Sequence, residues 1–273
     1  MTEPIETLGI IAGDRSLPLL VAEQARAMGV RRIIAVGFEE QSNPALEPLV
    51  DRMIWLRLGQ LSKLIKAFQA NGVRQCVMAG KIAPKSLFDL RPDLRTMAAL
   101  LKLKEKNAHT LFGAVADELQ KDGIQLIEAT PWLRPAMPAA GFHLGPRLSE
   151  EQRHDDEFGF RIAKEVSRLE IGQLVVVKGG SVLAVEGFEG TDKCLLRGGA
   201  LSGKNGGAVA VKVAKEQHDM RWDIPCIGAQ TIETCVAAQL SVLAVEADKT
   251  LFLERAEMEV LAKKHRLSLV TVQ

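Results

Sequence analysis

Four short apolar runs, at residues 8–12, 31–37, 53–56 and 76–79, alternate with helically spaced segments, and this alternation constrains the fold more than any other feature of the chain. After LGIIA and its closing Gly13, the apolar residues Leu17, Leu19, Leu20, Val21, Ala25 and Met28 recur near helical spacing. Gly29 ends that helix and RRIIAVG supplies the next run, so the opening reads as a βαβ unit with a right-handed parallel crossover. Leu61, Leu64, Ile65 and Phe68 repeat the helical pattern before residues 76–79. The first part is therefore expected to be an open parallel sheet that turns helical at 94–104 and 109–121 and returns as a strand at 124–127.

From 130 to 145 the chain reads TPWLRPAMPAAGFHLG, where Pro131, Pro135, Pro138 and two glycines argue against regular structure. The domain boundary is placed there: an N-terminal domain over 1–130, a linker over 131–148 and a second domain over 149–273. Ser149 and Gln152 have capping-box spacing for a helix continuing through Phe158, Phe160, Ile162, Val166 and Leu169. Residues 174–177 and 182–185 face each other across Lys178-Gly179-Gly180-Ser181, a hairpin signal, and 208–213, 224–227, 241–245 and 267–272 add candidate strands. The expected class is α/β, a Rossmann-like parallel-sheet domain followed by a second α/β domain and joined to it by a proline-rich linker.

Composition removes several function classes. With 35 Lys+Arg against 34 Asp+Glu there is no net drive toward nucleic acid, and the absence of Tyr with only 4% aromatic residues deprives the chain of stacking platforms for bases. No apolar stretch approaches the roughly 18 residues of a spanning helix, and MTEPIETLGIIAGD has no basic region ahead of an apolar run, so a cytosolic protein without a secretory signal is expected. Cys76, Cys194, Cys226 and Cys235 lie far apart without a CxxC pair and read as buried thiols. His109 and His218 have no HxxxH or HxH partner, and neither a GxSxG elbow nor a GxxxxGK[ST] loop is present, which disfavours acyl transfer and P-loop hydrolysis.

Four segments are candidates for chemistry. Gly13, Asp14 and Ser16 follow the first strand, where a helix start offers backbone N–H groups to a phosphate; the same residues equally make a structural turn with Ser16 as N-cap and Pro18 in the first turn. Gly80 and Lys81 follow another strand of that sheet, and would face the first loop with close backbone approach and a mobile positive charge, or form an ordinary turn with a solvated lysine. In AVEGFEGTD, Thr191 and Asp192 cap the next helix, while Glu186, Glu189 and Asp192 are candidates to present oxygens to a hard cation. In MRWDIPCIG, Asp223 stands just before a strand start, either as a turn former or as a rim carboxylate that holds a metal or orients water; Lys212 and Lys215 upstream offset phosphate charge.

Taken in order, GIIAG with Leu17-Pro18, EGTD at 189–192 and RWDIPCIG at 221–228 resemble one family, the LpxI-type UDP-2,3-diacylglucosamine pyrophosphatases. The likeness extends over nearly the whole chain, including IGQLVVVKGG and TIET at 231–234. It implies a two-domain, usually homodimeric enzyme that uses magnesium to hydrolyse UDP-2,3-diacylglucosamine to UMP and 2,3-diacylglucosamine 1-phosphate. It also implies that Asp223 is the catalytic, metal-related carboxylate, with substrate contacts at Gly13, Asp14, Ser16, Gly80, Lys81, Thr191, Asp192 and Lys212. Where relatives carry an acidic turn this chain has Asn107-Ala108-His109, with Glu105 as the nearest carboxylate.

A diacyl substrate needs apolar contact, for which Met97, Leu100, Leu101 and Leu103 are candidates. The amphipathic, basic stretch LRTMAALLKLKEK suits peripheral contact with an anionic inner-membrane surface, or else packs its apolar face on the domain core. Two other readings stand beside this one: an NAD(P)-type Rossmann oxidoreductase, with Glu39 or Glu40 as the ribose-binding acid but without the GxGxxG fingerprint, and a nucleotide-binding regulatory module without turnover.

Overall fold

The computed structural model describes residues 5–80, 82, 92–103, 108–214, 219–222 and 224–273, except for the side chains of 108 and 109. It separates into two compact units: residues 1–133 with 220–222, and residues 134–219 with 223–273.

In the first unit the elements run β1 (Thr7–Ala12), α1 (Leu17–Ala27), β2 (Arg32–Phe38), a 3-10 turn at Pro44–Leu49, β3 (Arg52–Leu56), α2 (Leu61–Ala70), β4 (Gln75–Ala79), α3 (Leu94–Leu101), α4 (Ala108–Lys121), β5 (Gln125–Leu126) and α5 (Thr130–Leu133). The described strands form a parallel sheet in the order β3-β2-β1-β4-β5. β1, β2 and β4 are buried along almost their whole length, as strands covered on both faces must be, which is why they read as unbroken apolar runs. Phe68, Leu64 and Ile65 of α2 and Leu119 of α4 pack against Ile34, Val36, Cys76 and Met78. Trp222 joins this cluster, its ring centroid 6.4 Å from that of Phe112. Gly9, within β1, is needed for this packing, because a Cβ there would stand 2.8 Å from the side chains of both Cys76 and Val73.

The stretch expected to lack regular structure does not behave that way. Thr130–Leu133 form a helical turn, with Pro131 inside its first turn where a missing N–H costs nothing, and Trp132 and Leu133 are buried. A 3-10 turn at Arg134–Ala136 follows, and β6 (His143–Leu144) pairs antiparallel with the last strand of the second unit. Thr271 donates from its N–H to the Phe142 carbonyl (3.1 Å) and the Phe142 ring meets Phe252 edge-on at 5.4 Å, so these residues are fastened to the second unit.

The second unit continues α6 (Glu150–Arg168), β7 (Leu174–Lys178), β8 (Ser181–Val185), α7 (Thr191–Leu201), β9 (Val209–Lys212), β10 (Cys226–Ile227), α8 (Ala229–Ala237), β11 (Val242–Glu246), β12 (Leu251–Phe252), α9 (Arg255–Lys264) and β13 (Ser268–Val272). Its main sheet has the order β6-β13-β11-β9-β7-β8, with β9, β11 and β13 parallel and β7 antiparallel to β9. Cys194 and Leu195 of α7, Ile232 and Cys235 of α8, and Met258 of α9 fill one core cluster. In the other, Ala163 and neighbouring apolar residues of α6 pack against Val177, Val211, Val242 and Ala244.

The capping box at Ser149 and Gln152 forms in full, with Gln152 N–H donating to Ser149 Oγ at 3.1 Å and Ser149 N–H to Gln152 Oε1 at 2.9 Å. β7 and β8 make the expected hairpin, whose turn residues Gly179 (φ 56°) and Gly180 (φ 71°) both need the left-handed region that glycine tolerates. Buried Asp155 of α6 receives both of their N–H groups. The candidate strand at 224–227 shortens to β10, which pairs with β12 in a separate two-stranded sheet. Cys76, Cys194 and Cys235 are buried, and burial pushes each thiol up to about 12; Cys226 departs from the expectation and is half-buried. Among the described residues no helix is long and apolar enough to cross a membrane.

Candidate functional site

In the first unit the order of strands reverses between β1 and β4, and Gly13 and Gly80, which follow their carboxyl ends, meet there. Such a switch point is where open α/β sheets take ligands. Gly13 donates from its N–H to the Ala79 carbonyl at 2.7 Å. Gly80 has φ 87°, and a Cβ there would stand 2.5 Å from the Asp14 carbonyl oxygen and 3.0 Å from a Pro18 ring carbon, so only glycine fits. Gly13, Asp14 and Gly80 are therefore brought together as the spacing suggested.

Ser16 occupies the N-cap position of α1, but its side chain makes no capping hydrogen bond. Asp14 is exposed and its Oδ1 accepts the N–H of Arg15 at 2.7 Å, holding Arg15 at φ 67°. Ser42 was not singled out by sequence, yet its buried hydroxyl donates to the Ala12 carbonyl (2.6 Å) and accepts the Phe38 N–H (2.7 Å), tying the ends of β1 and β2 together. Glu39, the proposed ribose acid, is instead paired with Arg57 at 3.3 Å.

The second unit assembles a polar chain at the carboxyl end of β9. Lys212 is only 8% exposed, and its ammonium donates to the Cys226 carbonyl at 3.1 Å and to Thr191 Oγ1 at 3.4 Å. Thr191 donates its own proton to Glu186 Oε1 at 2.8 Å, and Glu186 Oε2 accepts the Gln173 N–H at 3.1 Å. Asp192 accepts from Gln230 Nε2 at 3.5 Å. Thr191 and Lys212 thus meet as candidates, while Thr191 does not spend its hydroxyl on capping α7, whose N-cap is Gly190.

Glu186 and Glu189 are already engaged and do not offer themselves to a hard cation. Glu186 is occupied by Thr191 and Gln173, and Glu189 by Arg197 and the Gly187 N–H; the Arg197 guanidinium holds the Glu189 carboxyl below its usual range. Among the described residues no three His, Cys, Asp or Glu side chains gather as metal ligands. Lys81, Glu105, Asn107, Lys215, His218 and Asp223 lie outside the described residues, as do the side chains of Ala108 and His109.

On α3, Leu94 and Leu101 are 87% and 79% exposed and Met97 is exposed too, whereas Ala99 is buried. Leu100 and Leu103 are half-buried. Packing on the domain core therefore does not account for the outer apolar stripe. Asp93 caps this helix through the Thr96 N–H (2.8 Å) and also takes the Ser62 N–H (2.7 Å), while Arg95 pairs with Glu118 and Asp122.

Comparison with known proteins matches residues 7–135 to the LpxI N-terminal domain and residues 139–270 to the LpxI C-terminal domain. The UDP-2,3-diacylglucosamine pyrophosphatase LpxI of Caulobacter vibrioides is 31% identical over 261 residues, 91% of each chain. Among solved structures, a biotin carboxylase from Campylobacter jejuni aligns at 12% identity and a TM-score of 0.28 over 72% of this chain and 42% of that one. N5-carboxyaminoimidazole ribonucleotide synthetase from Thermotoga maritima aligns at 15% identity and 0.24 over 68% and 42%. This chain spans less than half the length of those two structures, and at these scores neither supports an inference.

Proposed function

Because this chain belongs to the LpxI family, we propose that it hydrolyses the pyrophosphate bond of UDP-2,3-diacylglucosamine to UMP and 2,3-diacylglucosamine 1-phosphate, a step toward lipid A. The likeness to the Caulobacter enzyme over 91% of each chain carries this reading. Water adds to one phosphorus, the bridging P–O bond breaks, and the departing phosphate takes the bridging oxygen. A group near the attacking water has to accept its proton, and a positive charge has to offset what develops on the phosphate oxygens.

Asp223 is assigned the first task and Lys212 the second. Gly13, Asp14, Ser16, Gly80 and Lys81 are assigned to the nucleotide, with Thr191 and Asp192 as further substrate contacts. Magnesium held by Asp223 would neutralise pyrophosphate charge, one carboxylate with phosphate oxygens and water being an ordinary donor set for that ion. The exposed stripe of α3 is assigned to peripheral contact with the inner membrane, where a diacyl substrate resides, and the enzyme is assigned as a homodimer. The oxidoreductase reading is disfavoured by Gly9, which serves helix packing inside β1 instead of approach to a pyrophosphate.

Incubation of the full chain with UDP-2,3-diacylglucosamine and magnesium, with UMP measured over time, tests the reading. UMP release that is lost with EDTA, regained with added magnesium, and reduced at least about a hundredfold in Asp223→Ala is expected. No UMP from the parent chain refutes the activity; unaltered release by Asp223→Ala refutes the role of that residue.

A further inference from the structure

The Glu186–Thr191–Lys212 chain has a direction built into it. A threonine hydroxyl has one proton to give. Here it goes to Glu186 Oε1 at 2.8 Å, so the oxygen presents lone pairs toward the Lys212 ammonium at 3.4 Å. Turned the other way, the hydroxyl would aim a donor at a donor. Glu186 cannot easily swing aside, because it is only 7% exposed and its second oxygen is engaged by the Gln173 N–H.

Among the described residues both acceptors of Lys212, the Thr191 hydroxyl and the Cys226 carbonyl, are neutral. Of the three N–H donors of the ammonium, one has no acceptor among the described residues and is available to an anion. Thr191 is also the first residue of α7, whose Gly190 cap supplies no side-chain acceptor, so backbone donors of that helix start lie beside the same hydroxyl.

We propose that Glu186 is a positioning residue for pyrophosphate hydrolysis: by fixing the Thr191 hydroxyl it holds the Lys212 ammonium in the orientation that meets a phosphate oxygen of the substrate. The inference rests on the pyrophosphatase reading. Glu186 itself touches no substrate, and its effect passes entirely through Thr191. A preset ammonium spares the reorganisation that a flexible lysine would otherwise undergo as charge develops.

In Glu186→Gln one acceptor oxygen becomes a donor. The Gln173 N–H can only donate and keeps the amide oxygen, so the amide nitrogen faces Thr191 Oγ1, and the hydroxyl loses its acceptor and is released to turn. Steady-state UMP release and melting temperature are measured for Glu186→Gln, Thr191→Val, Thr191→Ser and the Glu186→Gln/Thr191→Val double variant, all as full chains. Each of Glu186→Gln and Thr191→Val is expected to lower kcat at least about tenfold, with a smaller change in KM. The double variant falls no further than Thr191→Val, because Glu186 acts through that hydroxyl. Thr191→Ser recovers most of the loss seen with Thr191→Val.

Multiplying losses in the double variant, or an unimpaired Glu186→Gln, overturn the inference while leaving the pyrophosphatase reading in place. A parent chain that releases no UMP overturns that reading and the inference with it. If Glu186→Gln does not fold, Glu186→Asp, whose shorter carboxylate does not span the Gln173 N–H and the Thr191 hydroxyl together, carries the test at parental melting temperature: a lowered kcat that is not lowered further in the Thr191→Val background supports the inference and a parental kcat overturns it.

Discussion

On α6 the carboxyl of Asp156 has its Oδ1 buried without a hydrogen-bond partner among the described residues, and burial, reinforced by the neighbouring charge of Glu157, pushes its pKa up to about 6. A carboxyl raised in the fold favours the protonated form. Its stabilising contribution is complete below the ordinary value of 3.8 and is lost as pH rises through about 6. Asp156→Asn should therefore leave stability little changed near pH 4 and raise it near pH 8, by on the order of 1 kcal/mol after allowance for partial solvent screening. A thermal melt at the two pH values checks this. Gly80→Ala should have the opposite sign, since a methyl would meet the Asp14 carbonyl in a left-handed conformation; a loss of about 1–3 kcal/mol in denaturant titration and weaker UMP binding are expected. Gly80 was legible because a glycine closing an apolar run marks a turn. Ser42 and the positioning role of Glu186 were not, because the groups they hold are brought near by sheet pairing and burial, which no local pattern encodes.

Among the elements, the strands of the first unit were the easiest to read, since two-sided burial leaves unbroken apolar runs. The proline-bearing stretch misled for a specific reason: Pro131 falls where a helix has no use for its N–H, and His143–Leu144 are too short for their alternation to register. α3 makes a prediction of its own. If its outer stripe rests on lipid, Leu94→Ser with Leu101→Ser should reduce sedimentation with phosphatidylglycerol vesicles at least about tenfold. Equal sedimentation of parent and variant would remove the membrane assignment.

For the molecule as a whole, the division into two α/β parts was legible, but membership of the parts was not. Residues 220–222 count with the first unit although they follow most of the second in sequence. Trp222 fills space beside Phe112, so Trp222→Ala should lower the stability of the first unit by about 1–3 kcal/mol, read from the first unit's transition in a denaturant melt.

The same wandering of the chain bears on how the protein is made. A ribosome releasing this sequence delivers the whole parallel sheet early, yet the indole that completes its packing emerges only after more than half of the other unit has been synthesised. The nascent first unit must wait with that gap open, and a protein truncated at the apparent boundary would keep it for good.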